Sequence, residues 1–220
     1  MFENEISSCA LERISLVGFC ELEEPLPSLP LFRYAVSIAL KLSDAVLSTI
    51  EQQPTPMYFQ HYRTANAILD ETAFQIARLI ETKGYGAFPV AASQSLSGNK
   101  RYEGLIPHKT VAVLSGLGYV GKSGLFLSNE YGSKVRLASV LTDMPLMRQK
   151  PLAENRCGDC TLCRDACPAG AIYGVMSSKT ERNFDAEKCS RYMKEHFQGI
   201  GRGSVCGVCI KVCPRNHLSR

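Results

Sequence analysis

The chain has 220 residues, of which 45% are apolar and 21% charged, and its formal net charge at pH 7 is +4. This composition is typical of a globular protein with one sizeable core and a small appended domain, and it excludes a disordered chain. The start, residues 1–8, is acidic, and no apolar run reaches the length of about 18 residues that a membrane span needs. We therefore expect a cytoplasmic protein without a membrane partner.

Short apolar runs and helical patterns alternate along the first 143 residues. The apolar runs predict strands over residues 13–20, 34–40, 87–92 and 135–141. Helices are predicted over residues 44–53 and 58–83, the second from apolar residues at helical spacing. Residues 93–104 are polar and predict a loop, and residues 109–115 form a short apolar segment. The alternation predicts an α/β layer domain.

A glycine-rich stretch covers residues 116–123, with the sequence Gly-Leu-Gly-Tyr-Val-Gly-Lys-Ser. It matches both the P-loop pattern and the dinucleotide-binding glycine pattern. A P-loop must open a helix whose N-terminal amide groups hold the phosphates, and residues 124–132 do not predict such a helix. We interpret the stretch as a tight turn at which backbone can closely approach a large planar or anionic ligand.

Eight of the ten cysteines lie between Cys157 and Cys213. The first run, C-x2-C-x2-C-x3-C-P, ends at Pro168 and is the bacterial pattern for [4Fe-4S] ligation. The second consists of an isolated Cys189 followed by C-x2-C-x3-C-P, which ends at Pro214. Eight thiolates are enough for two [4Fe-4S] clusters.

The ligands of the two clusters are predicted to be crossed between the runs, because in two-cluster ferredoxins the cysteine before each proline binds the other cluster. Cluster one would be held by Cys157, Cys160, Cys163 and Cys213. Cluster two would be held by Cys167, Cys189, Cys206 and Cys209, with residues 190–205 looping out between ligands. A disulfide framework and zinc ribbons are the alternatives, since paired C-x2-C units also form zinc sites, but neither accounts for two C-x3-C-P endings.

The positive charge is concentrated in the cysteine region. Residues 151–220 hold 11 Lys and Arg against 7 Asp and Glu, whereas residues 1–150 hold 14 of each. Two clusters with their thiolates would bring a charge of about −4, which offsets that surplus. A nucleic-acid surface needs uncompensated positive charge on one face, so the charge pattern does not favour one.

Four motifs follow one another in a fixed order along the second half of the chain. They are Ser115-Gly-Leu-Gly-Tyr-Val-Gly-Lys-Ser123, Asn129-Glu-Tyr-Gly-Ser133, Leu141-Thr-Asp-Met-Pro145, and Cys157-Gly-Asp-Cys160 continuing to Cys167-Pro-Ala-Gly-Ala171. With them the chain resembles the epoxyqueuosine reductases, a family related to reductive dehalogenases. A weaker match through residues 34–40 and 62–70 extends the resemblance over most of the chain.

The resemblance implies a nitroreductase-like α/β domain that binds cobalamin over residues 1–147, and a ferredoxin-like double [4Fe-4S] domain over residues 148–220. It places the cofactor against the glycine-rich stretch, at Gly118, Tyr119, Gly121, Lys122 and Ser123. A flavin is the alternative cofactor. The family's catalytic aspartate aligns with Tyr102, beside Glu103. Because a tyrosine can donate a proton, Tyr102 is the predicted general acid, and an ordinary loop tyrosine is the alternative.

These features predict an oxidoreductase. An external donor such as ferredoxin or flavodoxin would pass electrons through the two clusters to the cofactor, which would reduce a small substrate. The family continues beyond its clusters into a helical-repeat region that helps to hold tRNA, whereas the present sequence ends at Arg220. We therefore expect a substrate other than tRNA. The alternative function is electron transfer to another protein, without substrate chemistry of its own.

Overall fold

The computed structural model describes residues 2–94, 102, 104–147, 155–174 and 184–217. The helices are α1 Phe2–Leu11, α2 Asp44–Ser48, α3 Pro56–Glu81, α4 His108–Leu114, α5 Leu162–Asp165, α6 Ala186–His196 and α7 Val208–Lys211, with a 3-10 helix at Pro214–His217. The strands are β1 Leu16–Glu21, β2 Tyr34–Lys41, β3 Ala87–Val90, β4 Gly118–Val120, β5 Phe126–Ser128 and β6 Val135–Thr142. The predicted α/β fold class is confirmed.

Four strands form an antiparallel sheet in the order β1-β2-β6-β3, and β4 and β5 form a separate two-stranded sheet. In the central pair, Ser37 of β2 lies opposite Ser139 of β6. All four strands of the larger sheet match predicted ones, although β1 starts three residues late and β3 is two residues shorter than its prediction. The sequence pattern did not separate antiparallel from parallel pairing, because both central strands are apolar nearly throughout.

The chain divides into two compact units that interleave along the sequence. Unit 1 contains Met1–Lys41, Thr64–Tyr119 and Val135–Ala153, and unit 2 contains Leu42–Arg63, Val120–Lys134 and Glu154–Arg220. Two segments that precede residue 147 thus belong to the same unit as the cysteines. The predicted domain boundary at residues 147 and 148 remains a prediction.

Unit 1 buries apolar side chains on both faces of the four-stranded sheet. On one face, Val36 and Ile38 pack with Leu69 and Ile76 of α3 and with Ile6 of α1. On the other face, a smaller cluster contains Cys20, Ala35 and Leu141 from the sheet together with Val111 of α4. Burial on both faces explains why the central strands are apolar at successive positions.

Three polar side chains of unit 1 hold the backbone that follows β3. The carboxylate of Asp70 accepts a hydrogen bond from the amide of Ala92 at 2.7 Å, and the guanidinium of Arg136 donates to the Ala92 carbonyl at 3.2 Å. The His108 ring donates from Nε2 to the carbonyl of Ala91 at 2.9 Å. Burial lowers the pKa of His108, which favours this neutral, singly protonated ring. The backbone at Ala91 and Ala92 is therefore held by three side chains.

Unit 2 packs two aromatic rings against close glycines. A Cβ on Gly207 would lie 2.6 Å from the Tyr58 ring, and one on Gly201 would lie 2.6 Å from the Phe59 ring. Both rings are at most 2% exposed. Asp185 caps the start of α6, with its carboxylate accepting from the amide of Lys188 at 2.9 Å. The unit therefore has its own apolar core next to the cysteine-bearing helices.

At three places in the chain, the structure differs from the sequence prediction or adds to it. The helix predicted over 44–53 ends at Ser48, because the hydroxyls of Ser48 and Thr49 bond to carbonyls three residues earlier and end the regular pattern. The insert over residues 190–205 does not loop out from its start, since α6 continues to His196. The apolar segment 109–115 is mostly the helix α4. Among the helices in the described part of the chain, none combines the length and apolar character of a membrane span.

Candidate iron-sulfur centre

Four cysteines of unit 2 line a single cavity. They are Cys157, Cys160, Cys163 and Cys213, and the remaining wall is formed by Ser123, Leu127, Pro214 and Arg215. These four cysteines are the ligands predicted for cluster one, drawn from both runs. We call this space the cluster one cavity. No three His, Cys, Asp or Glu side chains among the described residues are grouped closely enough to hold a single metal ion.

Short helices and turns aim these thiols at the cavity. The amide of Cys160 donates to the carbonyl of Cys157 at 3.1 Å, which closes the first C-x2-C turn. Cys163 lies in α5, and Cys213 follows α7 with its amide bonded to the carbonyl of Ile210 at 3.2 Å. A C-x2-C-x2-C sequence in turns and one helical turn can thus present three sulfurs to one space, and the second run supplies the fourth.

The other four cysteines of the two runs influence one another electrostatically. Burial raises the pKa of Cys189 to about 12, and Cys206 and Cys167 add to the increase. Burial also raises the pKa of Cys209, to which Cys206, Cys189 and Cys167 contribute in that order. These are the four ligands predicted for cluster two. Cys163 is a further contributor to the Cys209 shift, so the two groups of thiols lie close together in unit 2.

The raised pKa values have a chemical consequence. Burial raises the pKa of Cys163 as well, with further increases from Cys157, Cys213 and Cys160. Thiols in such surroundings stay protonated at neutral pH, whereas iron binds the thiolate. Cluster assembly therefore displaces protons from these sites. All ten cysteines are free thiols, so the disulfide framework considered from the sequence is not formed in this structure.

The glycine-rich stretch turns toward the cluster one cavity in its second half. A Cβ on Gly121 would lie 3.2 Å from the sulfur of Cys157, and Ser123 is part of the cavity wall. The Lys122 ammonium donates to the carbonyl of Gly158 at 2.5 Å and to that of Cys160 at 3.4 Å. No helix follows: Gly124 has a φ of +73° and leads into β5. The stretch therefore lacks the helix of a P-loop, as expected.

The five residues predicted to contact the second cofactor lie in two different places. Gly118 and Tyr119 lie in β4 and are buried. Gly121, Lys122 and Ser123 are instead brought to the cluster one cavity, and their contact with a second cofactor remains a prediction. Tyr102 is 43% exposed, and its φ of +68° is the only positive value for a non-glycine residue among those described. Glu103 lies outside the described residues.

A buried hydrogen-bond network behind Cys213 was not predicted from the sequence. The amide of Ser133 donates to Oδ1 of Asn216 at 3.0 Å, and Nδ2 of Asn216 donates to the carbonyl of Ile210 at 2.6 Å. Burial raises the pKa of Cys213, while hydrogen bonds from the Arg215 amide and the Ser133 hydroxyl lower it. The Asn-Glu-Tyr-Gly-Ser motif therefore ends on a side chain that supports a predicted cluster ligand. Its partner Asn216 is 83 residues away, so no local pattern could have indicated the pair.

Gly132 is expected to be essential for this support. Its φ is +59°, and a Cβ there would lie 2.4 Å from the carbonyl oxygen of Arg215. Gly132→Ala should reduce the free energy of unfolding of unit 2 by about 2 to 4 kcal/mol, from backbone strain together with overpacking. Denaturant unfolding of the cluster-loaded chain, with iron content measured in parallel, checks this.

Gly158→Ala is the matched control for this prediction. Its φ of +48° is similar, but no atom lies within 4 Å of the added Cβ. This variant should lose only the strain contribution of about 1 kcal/mol. If both variants lose the same free energy of unfolding, the close approach of Arg215 to Gly132 contributes nothing to the effect of Gly132→Ala.

Comparison with known proteins agrees with this site. Residues 156–216 match the family model of the 4Fe-4S double cluster binding domain. An epoxyqueuosine reductase of Cyclobacterium marinum is 35% identical over 119 residues, which is 50% of this chain and 36% of that protein. Over about half of its length, the chain is similar to epoxyqueuosine reductases. It spans about a third of the length of the curated relatives it matches.

Solved structures share the fold over nearly the whole chain. A reductive dehalogenase, whose structure suggests a mechanism for B12-dependent dehalogenation, has a TM-score of 0.78 at 22% identity and covers 96% of this chain and 31% of its own. An epoxyqueuosine reductase bound to an epoxyqueuosine-modified tRNA stem loop has a TM-score of 0.66 at 21% identity, covering 97% of this chain and 65% of its own. The nitroreductase-like and ferredoxin-like fold class and the double [4Fe-4S] domain predicted from the sequence are confirmed.

Proposed function

We propose that this chain is an iron-sulfur reductase in which electrons pass through two [4Fe-4S] clusters to a bound cobalamin, for the reduction of a small substrate. The observation that carries the proposal is the cavity in unit 2 that is lined by Cys157, Cys160, Cys163 and Cys213, four of the eight cysteines of the two runs. The crossed assignment of the ligands is part of the proposal. Both sets lie in one unit, so electrons can move between the clusters without leaving it.

The residues of the cluster one cavity fit a [4Fe-4S] cluster. Four thiols from both runs surround the space, and Leu127, which is buried, forms an apolar part of the wall together with Pro214. Lys122 and Ser133 act on the backbone and side chains of the ligands rather than on iron. The clusters would supply reversible storage of one electron each.

The choice of cobalamin is supported by the related proteins. The structure of the reductive dehalogenase that shares the fold suggests a mechanism for B12-dependent dehalogenation. In this chain Gly118, Tyr119, Gly121, Lys122 and Ser123 are the residues proposed to contact the corrin. The last three of them also lie at the cluster one cavity. When bound, cobalamin would supply a reduced metal centre able to pass two electrons to a substrate.

Tyr102 is proposed to supply the proton in that reduction. Its positive φ is costly for a tyrosine, and strained backbone positions are concentrated at functional sites. Its side chain is exposed enough to reach a bound substrate, and a phenol can act as a general acid. We propose a small organic substrate that accepts two electrons and a proton from the chain while a leaving group departs. A modified tRNA stem loop, which the epoxyqueuosine reductase of known structure binds, is an alternative that experiment must separate.

Anaerobic reconstitution tests the proposal. The chain is purified without oxygen, supplied with iron, sulfide and hydroxocobalamin, and passed over a gel-filtration column before iron, sulfide and cobalt are counted per chain. We expect about eight iron atoms and about one cobalt, and bleaching of the cobalamin spectrum when reduced flavodoxin is added. If both clusters form but no cobalt binds, the result would support the alternative function, electron transfer to another protein. Colourless protein, or zinc in place of iron, would contradict the cluster assignment itself.

The substrate class is tested on the same material. An ortho-bromophenol and an epoxyqueuosine-modified tRNA stem loop are offered separately, with reduced flavodoxin as the electron source. Release of bromide without reaction of the stem loop supports the small-substrate proposal. Reaction of the stem loop alone would overturn it.

A further inference from the structure

Two lysines are the only charged side chains that are buried among the residues the structure describes. Lys122 and Lys134 are each 8% exposed, and both belong to unit 2. Burying a charge is costly unless an opposite charge or several hydrogen bonds compensate it. The two lysines therefore require an explanation of what balances them.

Lys134 has a conventional partner. Its ammonium lies 2.5 Å from a carboxylate oxygen of Asp44, so the pair is neutral as a whole. Lys122 differs, because its partners within the described part of the chain are two backbone carbonyls, those of Gly158 and Cys160. Carbonyl groups accept hydrogen bonds from the ammonium group, but they do not neutralise its charge. The protein part of the site thus keeps one positive charge in a buried position.

The place where that charge lies suggests its counter-ion. Gly158 and Cys160 belong to the turn that presents the first two thiols to the cluster one cavity. The residues on either side of Lys122 also meet this site: Gly121 approaches the sulfur of Cys157, and Ser123 lines the cavity. A [4Fe-4S] cluster with its four thiolates carries about two negative charges, and one more when reduced.

We propose that Lys122 is the internal counter-ion of cluster one and that its charge makes cluster one the electron acceptor of the pair. Added negative charge on a reduced cluster is stabilised by a nearby cation, which raises the reduction potential. Water and salt screen an exposed cation but screen a buried one far less. The inference rests on the proposed ligand sets and deepens the proposed function by giving electron flow a direction.

Near cluster two, an acidic side chain lies one helical turn from a predicted ligand. Asp185 is the N-cap of α6, one turn before Cys189, and its carboxylate accepts a hydrogen bond from the amide of Lys188 at 2.9 Å. Lys188, which directly precedes Cys189, donates from its ammonium to the carbonyl of Gly170 at 3.0 Å in a solvent-exposed contact. The negative charge of Asp185 lowers the reduction potential of cluster two, and the solvent-screened charge of Lys188 does little to offset it. The potential of cluster two is therefore expected to lie below that of cluster one. One electron from a low-potential carrier protein then enters at cluster two, which is reduced, and moves to cluster one as cluster two is reoxidised.

Redox titration of the cluster-loaded chain, followed by electron paramagnetic resonance, tests the inference. Lys122→Gln keeps a donor for the carbonyls and removes the charge. We expect the higher of the two midpoint potentials to fall by about 59 mV or more, which is a tenfold change in the ratio of reduced to oxidised cluster for a one-electron couple. The lower potential should change much less. Lys122→Arg keeps the charge and should stay close to the original chain.

Lys188→Gln is the matched control, since it removes a lysine with the same kind of carbonyl contact but in an exposed position. It should shift neither potential by more than a small fraction of the Lys122→Gln effect. Asp185→Asn is a second, independent variant, because asparagine can also cap α6 and the anion is lost. It should raise the lower potential and bring the two values closer.

Several outcomes would overturn the inference. These are an unchanged higher potential in Lys122→Gln, a shift of the lower potential in its place, or an equal shift in Lys188→Gln. If Lys122→Gln fails to assemble cluster one, the Asp185→Asn titration still decides the order of the potentials. Iron and sulfide counts on every variant separate these results from a failure of the proposed function, which would appear as missing clusters in the unmodified chain.

Discussion

Replacing Cys157 and Cys213 together by alanine should remove about half of the bound iron, whereas replacing Cys157 and Cys167 together should remove nearly all of it. The first pair lines one cavity although its members come from different runs. The second pair comes from the same run, but Cys167 is grouped with Cys189 and Cys209. Loss of one ligand from each cluster disables both, and loss of two ligands from one cluster disables only that cluster.

The measurement is iron and sulfide per chain after anaerobic reconstitution, together with the electron paramagnetic resonance signal of the reduced protein. About four iron atoms should remain in the first double variant, with the signal of a single cluster. Replacing the two remaining cysteines, Cys9 and Cys20, is the control and should leave the iron content unchanged. Uncrossed ligation predicts the reverse order, with more iron retained by the variant altered at Cys157 and Cys167.

Tyr102→Phe should lower the rate of substrate reduction by about a hundredfold or more while both clusters remain intact. General acid catalysis typically contributes that much, and phenylalanine keeps the ring but cannot donate a proton. The measurement is the steady-state rate on whichever of the two probes, ortho-bromophenol or the modified stem loop, the unmodified chain reduces. Iron content and the rate of cluster reduction by flavodoxin should match those of the unmodified chain.

Tyr85→Phe is the control for this variant. Tyr85 also belongs to unit 1 and is 42% exposed, against 43% for Tyr102, but its backbone has no positive φ. It should retain the full rate. If Tyr102→Phe also retains the full rate, Tyr102 is an ordinary loop residue and the proton comes from another group.

The central part of the fold could be predicted because its signals are local and strong. The strands predicted over 34–40 and 135–141 appear as Tyr34–Lys41 and Val135–Thr142, since apolar residues buried on both faces produce continuous apolar runs. The predicted helix over 58–83 appears as Pro56–Glu81, because 26 residues give many repeats of the helical period.

Elements with few residues were missed for the opposite reason. Helix α4 has seven residues, and β4 and β5 have three each, which is too short for a period to be recognised. Helix α1 is a different case. Phe2, Ile6 and Ala10 recur every four residues along it, and Ile6 and Ala10 are fully buried. That pattern was available in the sequence, but the acidic residues between them obscured it.

The candidate site also has one part that the sequence could predict and another that it could not. The cysteine spacing is a local signal, and it predicted which four thiols share a cavity. The groups that support the ligands come from distant positions: Lys122 reaches a carbonyl 36 residues away, and Ser133 reaches a side chain 83 residues away. Such pairs are created by the folded chain, so only the structure could show that Lys122 contacts the turn that carries Cys157 and Cys160.

The composition of the cluster one cavity also bears on the order of events during biosynthesis. Its wall includes Cys157 at one end of the sequence region and Cys213 at the other. A nascent chain on the ribosome can expose the first three thiols early, but it cannot close the cavity until residue 213 has emerged. Iron delivery is therefore expected to follow translation of the whole segment, and a scaffold that donates clusters would meet an already synthesised unit 2.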